Sequence, residues 1–485
     1  MLNLPMLKHL IINLVLFLSI SNSILGASKG YRISVQLTNC KDTVLYLAHY
    51  YGDKQYIDDT TRRDNNGIYI FEGKENLSDG MYFLAGQKKN KYFDFIITNE
   101  QHFDLQCDPS DIAGSMQVKN SGENKLFYSY IEYLARMQKR VHPLQAKIKK
   151  YAVFPDSLAV VRYQIEIINK AVISYVATLV KEHPGYLAAA FIKANNEPDI
   201  KPFLINMEGK VDSSHLLETY KQHFFDNIDF ADPRLIYTPV FTEKINRYLD
   251  KLVVQHPDSI NKACDFIIKK GSSNKKVYKY IVWYLTLRYE ASEIMGFDAV
   301  FVYIVEKYYE SGLAEWLYPS VKDNILKRSN TLKPLLIGKP APNMVMMDTS
   351  NRPVALSAIK ARYTLVFFWE SICGHCKTEV PKAIKLYQDM KDEYGLQVFA
   401  VSSDTSIIAW KKYLRASNPG WINVNGNMGF TPNFHDLYDA HSTPIMYLLD
   451  ENKIIIAKRI MSDQIGDVIE FYEKRKAASA TGSGR

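Results

Sequence analysis

Cysteine is scarce in this chain, with five among 485 residues: Cys40, Cys107, Cys264, Cys373 and Cys376. Only the last two are close together. A disulfide-stapled framework would carry more cysteines at even intervals, so that class is excluded. Cys40 and Cys107 are favoured as small buried hydrophobes, with pairing left open in case their strands are adjacent. Long hydrophobic runs are lacking too. A membrane-crossing helix needs about 20 apolar residues, whereas Leu10 to Leu18 is interrupted by Asn13 and followed by Ser19, Ser21, Asn22 and Ser23, and Val300 to Val305 is far too short. With Lys8 ahead of it and small or polar residues up to Ala27, the first stretch reads as a cleaved export signal over residues 1–27. No cysteine near Ala27 supports a lipid anchor. The expectation is a periplasmic or otherwise extracytoplasmic protein with no stable membrane anchor after cleavage. Charge of one sign is not gathered either. A net +8 is modest for this length, and Lys and Arg interleave with Asp and Glu, which speaks against nucleic acid.

What is present is the composition of a folded, mostly packed protein, 47% hydrophobic and 23% charged. At about 100 to 200 residues per domain, two to four domains are expected. From residue 28 to 120 short β-branched and aromatic segments alternate with polar residues, as in Ile33, Val35, Leu37 and Phe103, Leu105, Cys107. Asn66-Gly67 supplies a hairpin turn. The reading is a small all-β domain, a sandwich or open barrel. The pattern changes at Ser121-Gly122 to an α-helical region extending to residue 332. Its clearest helix starts near Asp156-Ser157, carries Leu158, Val161, Ile165, Ile168, Val172, Val176 and Leu179 on one face, and stops at His183-Pro184-Gly185. The aromatics between Tyr278 and Tyr309 are assigned to helix packing rather than to a ligand groove. Lys333-Pro334 and Gly338-Lys339-Pro340-Ala341-Pro342 then form a stiff connection.

Residues 335–476 alternate strand and helix and close with a hairpin and a helix, the order of an α/β sheet; residues 477–485 read as a small, polar, disordered tail. Chemistry concentrates at Phe367-Phe368-Trp369-Glu370-Ser371-Ile372-Cys373-Gly374-His375-Cys376-Lys377. A buried strand ends just before a Cys-x-x-Cys that opens a helix. Free backbone amides and the positive helix end stabilise a thiolate at the first cysteine, making Cys373 the nucleophile. Cys376, one turn on, is placed to resolve a mixed disulfide. His375 between them, when protonated, further favours the thiolate and makes the pair more oxidising.

These motifs resemble the ResA/TlpA branch of secreted bacterial thioredoxin-like proteins. Gly338 to Pro342 resembles its leading segment, Trp369 and Cys373-Gly374-His375-Cys376 its active site, Pro381 its helix-kinking proline, and Thr443-Pro444 its cis-proline loop. The resemblance implies a thioredoxin-like fold and a thiol-disulfide oxidoreductase needing no cofactor and no metal. Its partners would be protein thiols and disulfides and an unidentified membrane or periplasmic redox partner. Thr443 and Pro444 would meet an extended substrate. The buried acid that many cytoplasmic thioredoxins place two residues before the tryptophan is Phe367 here, leaving Glu370 and Asp404 as candidates for the proton-managing carboxylate. The Gly374-His375 dipeptide resembles protein disulfide isomerase, so the direction of electron flow stays open. The preceding regions resemble uncharacterised domains that accompany such domains.

Competing readings fare worse. A peroxiredoxin pattern aligned on Cys373 would need a hydroxyl residue at Glu370 and a proline at Val366. A zinc site from Cys373, Cys376, His435 and His441 has a long gap between its halves, and a haem-attachment motif would need histidine where Lys377 stands. The serious rival is a partner- or glycan-binding scaffold with an auxiliary redox domain, because the β and helical regions carry no catalytic motif. Their lone histidines, such as His49, His102 and His223, read as surface or satisfied core groups.

Overall fold

The structure, a computed structural model, describes residues 30–198, 213–431 and 433–482; the expected export signal lies outside them. The chain divides into two compact units, one ending at Lys244 and one beginning at Ile245.

The first unit opens with eight strands, β1 (Tyr31–Leu37), β2 (Val44–Tyr51), β3 (Lys54–Arg62), β4 (Ile68–Gly73), β5 (Gly80–Ala85), β6 (Lys91–Ile97), β7 (His102–Cys107) and β8 (Gln117–Lys119), in two four-stranded sheets ordered β4-β1-β7-β8 and β3-β2-β5-β6. Strand β1 (Tyr31–Leu37) runs parallel to β7 (His102–Cys107) and antiparallel to β4 (Ile68–Gly73), and buries Ile33, Val35 and Leu37 as their alternation requires. Gly67, at φ +81°, makes the expected tight turn, with its amide on the Asp64 carbonyl. The strands on either side, β3 (Lys54–Arg62) and β4, nevertheless belong to different sheets, so the turn carries the chain between layers rather than closing one hairpin ladder. Cys40 and Cys107 are both free thiols.

Two long helices follow, α1 (Gly122–Lys150) and α2 (Pro155–Glu182), with the shorter α3 (Leu187–Asn195). Ser121 caps α1 through the Asn124 amide. Buried Glu123 accepts the Leu187 and Ala188 amides at 2.9 and 2.8 Å, so one carboxylate satisfies the free N–H groups that begin α3. Val161, Ile168, Val176 and Leu179 of the expected stripe are buried. Helix α2 starts at Pro155, slightly ahead of the anticipated cap, because proline suits a first-turn position where no amide is needed. Helices α4 (Ser213–His223) and α5 (Pro239–Arg247) lead out of this unit.

The second unit, which starts within α5 at Ile245, continues with α6 (Pro257–Gly271), α7 (Lys275–Glu290), α8 (Asp298–Ile304) and α9 (Pro319–Leu332). Tyr280, Tyr284, Tyr289, Tyr308 and Tyr309 are buried among them, the packing role expected of these aromatics. A seven-stranded sheet follows, built from β9 (Val345–Asp348), β10 (Pro353–Ala355), β11 (Tyr363–Trp369), β12 (Leu396–Ser402), β13 (Ile422–Gly429), β14 (Ile445–Leu449) and β15 (Ile455–Lys458) in the order β10-β9-β13-β12-β11-β14-β15. Its fifth strand, β11, is buried along its whole length, parallel to β12 and antiparallel to β14. Alternate β11 residues feed two cores. Leu365, Phe367 and Trp369 enter one with Cys376 and Trp410, while Val366 and Phe368 enter the other with Phe399 and Val401. Helices α10 (Gly374–Met390), α11 (Ile407–Ser417) and α12 (Ser462–Gly482) complete the α/β layer. The last helix continues into the stretch read as a disordered tail, through Ala477 and Ala478, which are strong helix formers.

Within this unit the helices are tied to the sheet by buried charge. Lys458 on β15 (Ile455–Lys458) pairs with Asp298 of α8 and donates to the Leu335 carbonyl at 2.8 Å. Buried Asp439 receives both Arg328 of α9 and Arg459.

Candidate functional site

The site forms where β11 ends and α10 begins. Cys373 is the N-cap of α10, with extended backbone, and its Sγ accepts the Cys376 amide at 3.4 Å. On its other side Sγ lies 3.4 Å from the Thr443 carbonyl. The Thr443-Pro444 peptide is cis, in agreement with the expectation from the resemblance.

This geometry treats the two thiols differently. Burial opposes ionisation of Cys373, but its hydrogen bonds with the Thr443 side chain and from the Cys376 and His375 amides prevail, and the thiol is held below its ordinary range. Cys376 is 1% exposed, and burial pushes its thiol up to about 12, with the neighbouring Cys373 adding to the rise. One sulfur is therefore accessible and easily ionised, and the other is enclosed and protonated. His375 and Gly374 are exposed on the first turn, and Ile372 beside them is 71% exposed.

The loop carrying Cys373 is clamped from below. Asp404, buried just past β12, accepts the Ser371 amide at 3.2 and 3.1 Å, the Ser371 hydroxyl at 2.6 Å and the Ser402 hydroxyl at 2.7 Å. The Ser403 amide donates to the Trp369 carbonyl at 3.0 Å. Trp369 is itself buried, its ring 5.1 Å from that of Tyr413. Of the two candidate acids, Asp404 is thus occupied by loop donors, while Glu370 offers its backbone carbonyl to the Cys373 amide at 3.3 Å. Neither carboxylate is hydrogen-bonded to a cysteine among the described residues. Pro381 lies inside α10, where it removes the amide that would bond back toward Lys377.

A buried carboxylate that the sequence reading missed is Glu379. It sits three residues past Cys376 on α10, is 5% exposed, and accepts the Ser462 amide at 2.7 Å, which ties the start of α12 to the active-site helix. The i, i+3 spacing from a buried cysteine was the available signal.

A central strand feeding a Cys-x-x-Cys at a helix start, with a cis proline against the first sulfur, defines a thioredoxin-superfamily redox domain. Comparisons with known proteins concur. The AhpC/TSA family model matches residues 337–473. Two domains of unknown function match upstream, DUF4369 over residues 31–127 and DUF5106 over residues 213–325. The chain is similar to the thiol-disulfide oxidoreductase ResA of Bacillus thuringiensis subsp. konkukian, 28% identical over 142 residues, covering 29% of this chain and 78% of the relative. ResA of Bacillus subtilis is 28% identical over 119 residues, covering 24% of this chain and 64% of that protein. Among solved structures, a domain of a possible thiol-disulfide isomerase from Cytophaga hutchinsonii is 38% identical, covering 30% of this chain and 98% of its own, with a TM-score of 0.28. A thioredoxin-like protein from Bacteroides caccae is 21% identical over 57% of this chain and 98% of its own, with a TM-score of 0.45. The chain is a member of the thioredoxin-like oxidoreductase superfamily that includes ResA, with an N-terminal domain of unknown function. Among the described residues no helix is long and apolar enough to cross a membrane.

Proposed function

We propose that the chain is an extracytoplasmic thiol-disulfide oxidoreductase that exchanges disulfides with protein partners through the Cys373-Gly374-His375-Cys376 dithiol. The observation that carries this reading is the asymmetry of the two thiols, one accessible and held low, the other buried and pushed up to about 12. In the reducing direction the Cys373 thiolate attacks one sulfur of a partner disulfide. The partner S–S bond breaks, a mixed disulfide forms, and the departing thiolate takes a proton. Cys376 then gives up its proton and attacks Cys373 Sγ. The second partner thiol leaves, the protein holds a Cys373–Cys376 disulfide, and two electrons have passed to the partner. The reverse sequence oxidises a partner dithiol.

Thr443, whose carbonyl flanks Cys373 Sγ, is the backbone against which an extended partner segment would lie. Asp404 and its serine donors act as positioning groups that hold the Cys373 loop, and Trp369 and Pro381 shape the strand end and the helix. Location outside the cytoplasm rests on the export-signal pattern of residues 1–27 and on the resemblance to secreted relatives. The test is reduction of insulin by dithiothreitol with and without the purified chain. Acceleration by the wild type and its loss in Cys373→Ser are expected; full activity in that variant would refute the assignment.

A further inference from the structure

Neither the redox site nor any matched family covers the far end of the α1–α2 hairpin, and its surface has an unusual composition. Between residues 139 and 162 stand Lys139, Arg140, Lys147, Lys149, Lys150 and Arg162 against Asp156 alone, a net +5 in a chain whose total is +8. All six basic residues are exposed, and none is in an ion pair among the described residues. The even interleaving of charge read from the whole sequence therefore breaks down here.

The turn joining the helices adds an independent observation. Ala152, Val153 and Phe154 follow one another in it, with Val153 79% and Phe154 57% exposed. Helix-connecting turns in water normally carry polar residues or glycine, and Phe154 occupies the N-cap of α2 with no side-chain cap bond. Val160 and Tyr163 continue the exposed apolar surface along α2, at 57% and 62%. From residue 138 to 162 only Val161 is buried, so the hairpin end has little core of its own.

We infer that this hairpin tip docks on a bilayer surface carrying anionic headgroups. Apolar residues at an apex with a basic collar behind them match an interface in which Val153 and Phe154 enter the headgroup boundary while lysines meet phosphates. The collar's geometry favours a bilayer over an acidic protein. At 3.6 residues per turn, Lys147, Lys149 and Lys150 point to three different sides of α1 while spanning only about 5 Å of rise. A bilayer surrounds an inserted tip on all sides, whereas a protein surface meets one face. Lys139 and Arg140 lie about 15 Å further back, beyond a Debye length of about 8 Å, and contribute little.

The experiment is co-sedimentation of the chain lacking residues 1–27 with large vesicles of phosphatidylcholine alone or with 30% phosphatidylglycerol. Binding to the anionic vesicles is expected, with loss in high salt. Replacing Lys147, Lys149 and Lys150 together by Gln lowers the partition coefficient on the order of a hundred-fold, at about 1 kcal/mol per basic residue. Insulin-reducing activity and far-UV circular dichroism stay unchanged in that variant. A Phe154→Trp probe shifts its emission to the blue on anionic vesicles only. Absence of sedimentation, equal binding to neutral vesicles, an undiminished triple variant or an unshifted probe would each overturn the inference. Binding to polyglutamate without binding to vesicles would assign the tip to an acidic protein and overturn it as well.

Discussion

Alkylation of the reduced, folded chain across pH reads the thiol asymmetry directly. At pH 7 an ordinary thiol of pKa about 8.5 is roughly 3% ionised. Cys376, pushed up to about 12, is ionised to about one part in 10⁵. Its more basic thiolate is intrinsically faster by roughly 30-fold to 50-fold, given a Brønsted slope of about 0.4 to 0.5. The remaining deficit against an ordinary thiol is about a hundred-fold, before its 1% exposure slows it further. Cys373 is both more ionised than an ordinary thiol and accessible. Cys107 is pushed up to about 12 by burial, and Cys264 is raised further by the same cause. Iodoacetamide near neutral pH, followed by denaturation, a second label and peptide mass spectrometry, should therefore find Cys373 modified while Cys107, Cys264 and Cys376 carry the second label. The Cys373 rate should level off below the pH at which a free thiol does. Comparable labelling of Cys376, or a Cys373 midpoint at or above about 8.5, would refute the reasoning.

Other consequences are testable in the same preparation. Asp298→Ala leaves the Lys458 ammonium buried without its carboxylate and should cost about 3 to 5 kcal/mol in urea unfolding, more than Lys458→Met, which removes the charge itself; the opposite order would show that the pair does not tie helix to sheet. Stability should fall above about pH 8.5, because Cys107 and Cys376 stay protonated in the folded chain while unfolded thiols ionise. The unfolded state then binds fewer protons, and each thiol costs about 1.4 kcal/mol per pH unit until its folded value is reached, a trend that thermal melts of wild type and Cys107→Ala would resolve. His375→Pro should lower the reduction potential by several tens of millivolts in glutathione titration, since proline removes the His375 amide that helps hold the Cys373 thiolate and so favours the reduced form; an unchanged potential would mean that the dipeptide does not set the poise.

Much of the site was legible because its signals are local. An uninterrupted apolar run from Tyr363 to Trp369 reads as a buried strand, and Cys-x-x-Cys immediately before a helical period reads as a helix start. The α2 stripe was visible for the same reason. Elements whose stability comes from neighbours were not visible. Strand β13 (Ile422–Gly429), rich in asparagine and glycine, has poor strand propensity and exists because β12 and β9 (Val345–Asp348) flank it. Asp404 was singled out, but its occupation by Ser371, 33 positions earlier in the chain, is a tertiary fact. Glu379 carries no motif of its own, and its burial depends on the Ser462 amide, 83 positions later in the chain. Asn66-Gly67 specified a turn but not the sheets its strands would join.

The central claim is that Cys373 attacks and Cys376 resolves, and trapping of mixed disulfides tests it most directly. Cys376→Ser, mixed with a disulfide-bearing protein and resolved without reductant, should accumulate an adduct through Cys373 that dithiothreitol releases. The Cys373→Ser variant should form none, because Cys376 is enclosed and pushed up to about 12 and Cys40, Cys107 and Cys264 are buried. Adducts on Cys376 in that variant, or none in Cys376→Ser, would contradict the assignment of the two sulfurs.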